Sequence, residues 1–131
     1  YWQMKKFPNL RKCELNDPSD EIVVVGDLHG QILDLLHIIE VNGPPGKHIK
    51  YVFNGDFVDR GQASIEVIII LFCLQLAAPD SVFLNRGNHE DVSICCVFGF
   101  MRECVQKYDE VTFSMFIVSF KQQFGSLVCC R

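Results

Sequence analysis

The sequence predicts an α/β fold built on parallel strands, and three observations predict it. Three short apolar runs, Ile22 to Gly26, Tyr51 to Gly55 and Val82 to Asn88, each end in a cluster of Gly, Asp, Asn or His. Helical patterns separate them. The resulting alternation of strand and helix is that of consecutive βα units, whose crossovers are right-handed almost without exception. In such sheets ligands bind off the carboxyl ends of the strands, and all three polar clusters lie there.

Taken in order, residues 1–20 read as a lead-in, basic at Lys5, Lys6, Arg11 and Lys12, with no apolar stretch behind these to make a signal peptide. The first strand is an isoleucine and three valines, stiff side chains that suit a pleated surface. Ile32, Leu35, Leu36 and Ile39 then repeat at helical spacing, and Asn42-Gly43-Pro44-Pro45-Gly46 stops that helix. The second strand runs from Tyr51, and a second helix from Ile65 to Leu76, apolar nearly all round as a helix packed on several sides must be. Glu66 and Gln75 interrupt that run, which is shorter than the ~20 residues a bilayer span requires. After the third strand, helices are expected from about Val92 to Tyr108 and from about Val111 to Phe124.

With 49% apolar residues the chain can bury a core, and disorder is excluded. A net charge of -4 gives no electrostatic reason to expect nucleic acid or a membrane surface as partner. Seven cysteines without paired Cys-x-x-Cys spacing fit neither a zinc ribbon nor a disulfide framework, and a reducing compartment, cytoplasmic or nuclear, is expected.

The chemistry lies in the three clusters. In Gly26-Asp27-Leu28-His29-Gly30 a carboxylate and an imidazole two residues apart can face one cation, with a helix-capping turn as the alternative. In Gly55-Asp56-Phe57-Val58-Asp59-Arg60-Gly61, Asp56 can bridge two ions and Arg60 can grip a phosphate, with a solvated ion pair as the alternative. In Arg86-Gly87-Asn88-His89-Glu90 the amide oxygen of Asn88 is an acceptable hard ligand, and His89 is a candidate general acid. Each signal is weak alone; three strand-end clusters in this order are specific together.

These blocks, Gly-Asp-x-His-Gly, Gly-Asp-x-Val-Asp-Arg-Gly and Arg-Gly-Asn-His-Glu, resemble the signature of the phosphoprotein phosphatases. The likeness runs from about Ile22 to Tyr108 and more thinly through Phe120, with Gly99-Phe100, Glu103-Cys104 and Tyr108 matching the helix after the third block. Residues 54–61 and 84–91 look most similar to the EF-hand-containing branch, with the TPR-containing branch next. The resemblance implies the N-terminal part of a calcineurin-like metallophosphoesterase β-sandwich flanked by helices, residues 21–131 being a partial catalytic domain. It further implies two divalent ions, manganese or iron and zinc, with Asp27, His29 and Asp56 on the first and Asp56 and Asn88 on the second. Arg60 would hold the substrate phosphate, a hydroxide activated by the two ions would attack phosphorus, and His89, oriented by Asp59, would protonate the departing Ser or Thr oxygen. No role for Glu90 follows from its position.

The implied partners are phosphoserine and phosphothreonine proteins, with regulatory domains or subunits. The family also needs two further histidines and another arginine; here only His29, His37, His48 and His89 occur, with His37 and His48 away from any strand end. The start at Tyr1 and the ending from Phe124 to Arg131, which is not expected to form the next strand or its His-Gly-Gly block, suggest a piece of something longer. Two other readings stand beside the phosphatase: an inactive fragment serving as a binding module, and a phosphoesterase of nucleotide-type substrates. Cys95 and Cys96, where relatives place other residues, are expected to be buried in a helix.

Overall fold

The computed structural model describes residues 10–123 and 127–130. Its elements are β1 (Leu10–Cys13), β2 (Glu21–Val25), α1 (Ile32–Asn42), β3 (Ile49–Phe53), α2 (Ser64–Ala77), β4 (Val82–Leu84), α3 (Val92–Phe98), α4 (Phe100–Lys107), α5 (Glu110–Gln123) and β5 (Leu127–Cys130). Strands β2, β3 and β4 form a parallel sheet in that order, as the apolar runs predict. Val25 pairs with Phe53 and Phe53 with Leu84, so all three strands end on one level. The loops carrying the polar clusters therefore leave the sheet side by side.

Alternation along the strands separates two faces. Val25, Tyr51, Phe53, Val82 and Leu84 join the main core with Leu35 of α1 and Ile65, Ile68 and Leu71 of α2. Val52 and Phe83 point the other way, where Cys13 of β1 packs on them with Ile22 beside it. There the Arg11 guanidinium lies 4.4 Å from the centre of the Phe83 ring, a cation–π contact. The β1–β5 ladder, parallel with Leu10 opposite Leu127, thus makes a second layer on the sheet. Beyond the sheet, Phe113, Phe116 and Phe120 of α5 gather around the ring of Phe100 in α4, at centroid distances of 6.1, 5.5 and 5.7 Å.

Five expectations need correction. The lead-in over residues 1–20 contains β1, and the ending forms a strand over Leu127–Cys130 paired with it; ladder pairing, which a basic Leu-Arg-Lys-Cys run does not announce, makes both. The helix expected over 92–108 is two helices, because Gly99 at φ 125° breaks it. Leu36 lies outside the buried face of α1, being 46% exposed, and Ile38 takes its place. A helix turns ~100° per residue, so Ile32, Ile38 and Ile39 fall within ~60° of the buried Leu35 whereas Leu36 does not. Finally, Cys95 is buried but Cys96 is exposed.

Candidate metal centre and proton-handling pair

The loop after β2 is laid directly on the loop after β3. Leu28 and His29 donate their amides to the carbonyl of Asp56 at 3.0 and 2.9 Å, and Gly30 donates to that of Phe57 at 2.9 Å. The loop after β4 closes in from the other side, so tightly that a Cβ on Gly55 would collide with the backbone of Gly87. Among the described residues, four other than glycine adopt a left-handed backbone, His29, Asp56, Asp59 and Arg60, and all four belong to these loops. Such conformations cost on the order of 1–3 kcal/mol each and gather where the surroundings over-determine them.

The packed loops bring Asp27, His29 and Asp56 together, with one ligand atom from each lying within 4.8 Å of the others. The His29 Nδ1–H donates to the carbonyl of Val58 at 2.8 Å, and because a carbonyl only accepts, the neutral ring has its lone pair on Nε2. That Nε2 is buried without a hydrogen-bond partner, 3.7 Å from the Asp27 carboxylate. A lone pair left without a donor beside two carboxylates suits a cation, and the donor set of oxygens and one imidazole suits a divalent one. Asn88, expected to serve a second ion, is exposed at the rim between Gly87 and His89, both of which are tied into the site by their amides.

Next to this cup lies a second constellation. His89 and Asp59 are joined Nδ1 to Oδ2 at 2.7 Å, their side chains 4% and 0% exposed. The His89 ring meets that of His29 edge-on at 4.7 Å and that of Phe98 at 5.3 Å. Arg60 donates Nη2 to His89 Nε2 at 3.3 Å, with its side chain otherwise exposed at the rim. All seven residues singled out in the sequence, Asp27, His29, Asp56, Asp59, Arg60, Asn88 and His89, therefore lie in the three adjoining loops.

Sequence reasoning missed the carboxylate that holds the loops together. Glu90, 1% exposed, accepts the amides of Asp56 at 2.9 Å, Phe57 at 2.8 Å and Gly87 at 2.8 Å. Burial pushes its carboxyl above the usual glutamate range, against these three amides, which pull the other way. Glu103 plays a similar part farther out, accepting the first amides of α2 from Ser64 and Ile65 while Lys107 pairs with it at 2.9 Å. No spacing rule foretells either, since Glu90 also serves the amides of Asp56 and Phe57 and Glu103 those of Ser64 and Ile65, all on other loops or helices far away in sequence. Replacing Glu90 by Ala leaves three amides without their acceptor, at ~1–3 kcal/mol for each that stays dry. Urea unfolding is expected to show a loss of about 3 kcal/mol or more for Glu90→Ala and a smaller one for Glu90→Gln, which keeps one acceptor oxygen.

Cys95 beside this site is inert. Its Sγ–H donates to the His89 carbonyl at 3.1 Å, and burial, with the charge of Asp59 behind it, pushes the thiol far above its ordinary range.

A cation cup at the level ends of parallel strands, beside an arginine and a buried imidazole, suits metal-assisted chemistry on a phosphate ester. The family model described as Calcineurin-like phosphoesterase matches residues 21–128, and the chain belongs to that family. It is 46% identical over 127 residues, 95% of the chain, to serine/threonine-protein phosphatase T of Schizosaccharomyces pombe, of which it covers 26%. It is 52% identical over 103 residues, 79% of the chain, to human serine/threonine-protein phosphatase with EF-hands 2, covering 14% of that protein. A solved protein serine/threonine phosphatase from Saccharomyces cerevisiae superposes with a TM-score of 0.90 at 40% identity, over 95% of this chain and 39% of that one. A putative diadenosine tetraphosphatase superposes at 0.60 with 20% identity, a likeness of fold alone. The chain thus spans about a quarter of the first of these curated relatives and less of the second.

Proposed function

We propose that the protein to which this chain belongs is a metal-dependent phosphatase of phosphoserine and phosphothreonine proteins, and that this chain supplies its first cation site and its proton-handling pair. The observation that carries the reading is the buried His89–Asp59 pair in edge contact with His29 of the cation cup. Asp27, His29 and Asp56 would hold one divalent ion, and Asp56 with Asn88 would reach toward a second; manganese, or iron with zinc, suits such donors. Divalent ions bound there lower the pKa of water and neutralise charge on phosphoryl oxygens.

The chain's own residues do the rest. Arg60, exposed at the rim, binds two phosphate oxygens at once through its planar fork. Turning to the phosphate takes it off His89 Nε2, the ring nitrogen that Asp59 does not occupy. Once Arg60 has left, Nε2 takes up a proton from water, and that proton passes to the Ser or Thr oxygen as its bond to phosphorus breaks. Asp59, holding Nδ1, fixes the ring so that Nε2 is the atom that faces the substrate. EF-hand relatives support regulatory domains or subunits elsewhere in the protein, and the absence of Cys-x-x-Cys spacing in the sequence supports an intracellular setting, cytoplasmic or nuclear.

The test is an exchange. Residues 10–123 of this chain replace the matching segment of the Saccharomyces cerevisiae phosphatase, and the chimera is assayed with manganese on a phosphothreonine peptide and on diadenosine tetraphosphate. Peptide turnover within about 10-fold of the parent, lost by at least about 100-fold in His89→Asn with metal content unchanged, is the expected result. A folded, metal-loaded chimera that cleaves only the dinucleotide would refute the assignment.

A further inference from the structure

The break between α3 and α4 lies against the buried Asp59. Gly99 stands at φ 125° and ψ -18°, a backbone conformation that side chains of L residues rarely adopt. Crowding does not demand the glycine, because a Cβ at this position would meet nothing within 4 Å. What the position requires is the conformation itself. Had the helix continued, the Phe100 amide would have turned to the carbonyl of Cys96, four residues back. Instead it donates to Asp59 Oδ1 at 2.8 Å as the first amide of α4.

The same corner reaches every group of the pair. The Phe98 carbonyl accepts the Arg60 amide at 3.3 Å, and the Phe98 ring packs edge-on against His89. Phe100 is fully buried, its ring clamped by Phe113, Phe116 and Phe120, so the core fixes where its amide points. The Asp59 carboxylate is thereby held at both oxygens, by Phe100 at one and by His89 at the other. Held at one oxygen only it could pivot about χ2, and His89 would pivot with it.

We infer that Gly99 is a positioning residue: its backbone conformation aims the Phe100 amide at Asp59 and so locks the carboxylate that orients His89. The chemical meaning of that lock rests on the proposed phosphatase function, while the lock itself does not.

Nuclear magnetic resonance on the full 131-residue chain, with labelled histidine, reads the lock without any reaction. In the parent the His89 Nδ1–H resonance and the Phe100 amide are expected to exchange slowly with solvent at fixed pH. In Gly99→Ala both should exchange at least about 10-fold faster relative to the amides of residues 68–74 in α2, which report the fold as a whole. Gly43→Ala, at another positive-φ glycine but at the far end of α1, should leave the ratio unchanged. D-alanine at position 99, introduced by semisynthesis, favours positive φ and should restore the parent signals; it also decides the matter if Gly99→Ala fails to fold. The inference is overturned if Gly99→Ala keeps the parent ratio, if Gly43→Ala disturbs it equally, or if D-alanine behaves as L-alanine does. An inactive chimera in the exchange experiment would remove the proposed function and leave these signals as they are.

Discussion

The 131-residue chain by itself is expected to hydrolyse a phosphothreonine peptide at least about 10⁴-fold more slowly than the Schizosaccharomyces pombe phosphatase T assayed beside it. The reason lies in where its histidines stand. His29 and His89 are in the site, whereas His37 lies on α1 beside Glu40 with its side chain 72% exposed, and His48 is held by Asp20 at 2.8 Å. Among the described residues, a second ion would have only Asp56 and Asn88. Arg60 is the arginine that touches His89, since Arg86 is engaged with the Glu90 carbonyl and Asp91. One preorganised electrostatic contact is worth ~10²- to 10³-fold in rate, so two or more missing contacts multiply to this deficit. Turnover within about 100-fold of the relative, abolished by Asp56→Ala, would show that the donors counted here suffice.

Titration of the same chain with manganese is expected to show about one equivalent of tight binding, and Asp56→Ala to weaken it by at least about 100-fold. Substitutions one shell further out already cost ~10- to 100-fold in metal affinity, which sets a floor for a ligand itself. Asp56 also accepts the His89 amide at 2.9 Å, so the variant should disturb the His89 resonances even without metal. His29→Ala should weaken binding comparably while sparing that amide contact. Calorimetry gives the stoichiometry, and two tight, equivalent sites would contradict the assignment of donors.

Much of the sheet and of the site was legible because both are written locally. Strands β2, β3 and β4 are short apolar runs with a polar cluster behind each, and the residues of the candidate site lie in those clusters. What could not be read depends on distant partners. Leu10–Cys13 carries two basic residues and becomes a strand only through Leu127–Cys130. Gly99 inside a helical pattern looks like a tolerated residue until Asp59, forty positions back, is seen to need the amide beyond it. Glu90 looks like the end of a motif, and its three amides come from two different loops. Leu36 was misplaced by one step around α1, because apolar spacing gives a stripe but not which edge of it meets α2.

The level strand ends make the hydrophobic core the gauge of the candidate metal centre. Slipping β3 by one residue would move Asp56 by ~3.3 Å, against the ~0.2 Å tolerance of a metal–ligand distance. The same slip would turn Tyr51 and Phe53 out of the main core and Val52 into it, because neighbouring side chains face opposite ways. A misregistered chain therefore loses its apolar burial along with its cation cup, and no well-packed version of this sheet carries a misaligned one. Accuracy at the rim is inherited from side chains that never touch a ligand.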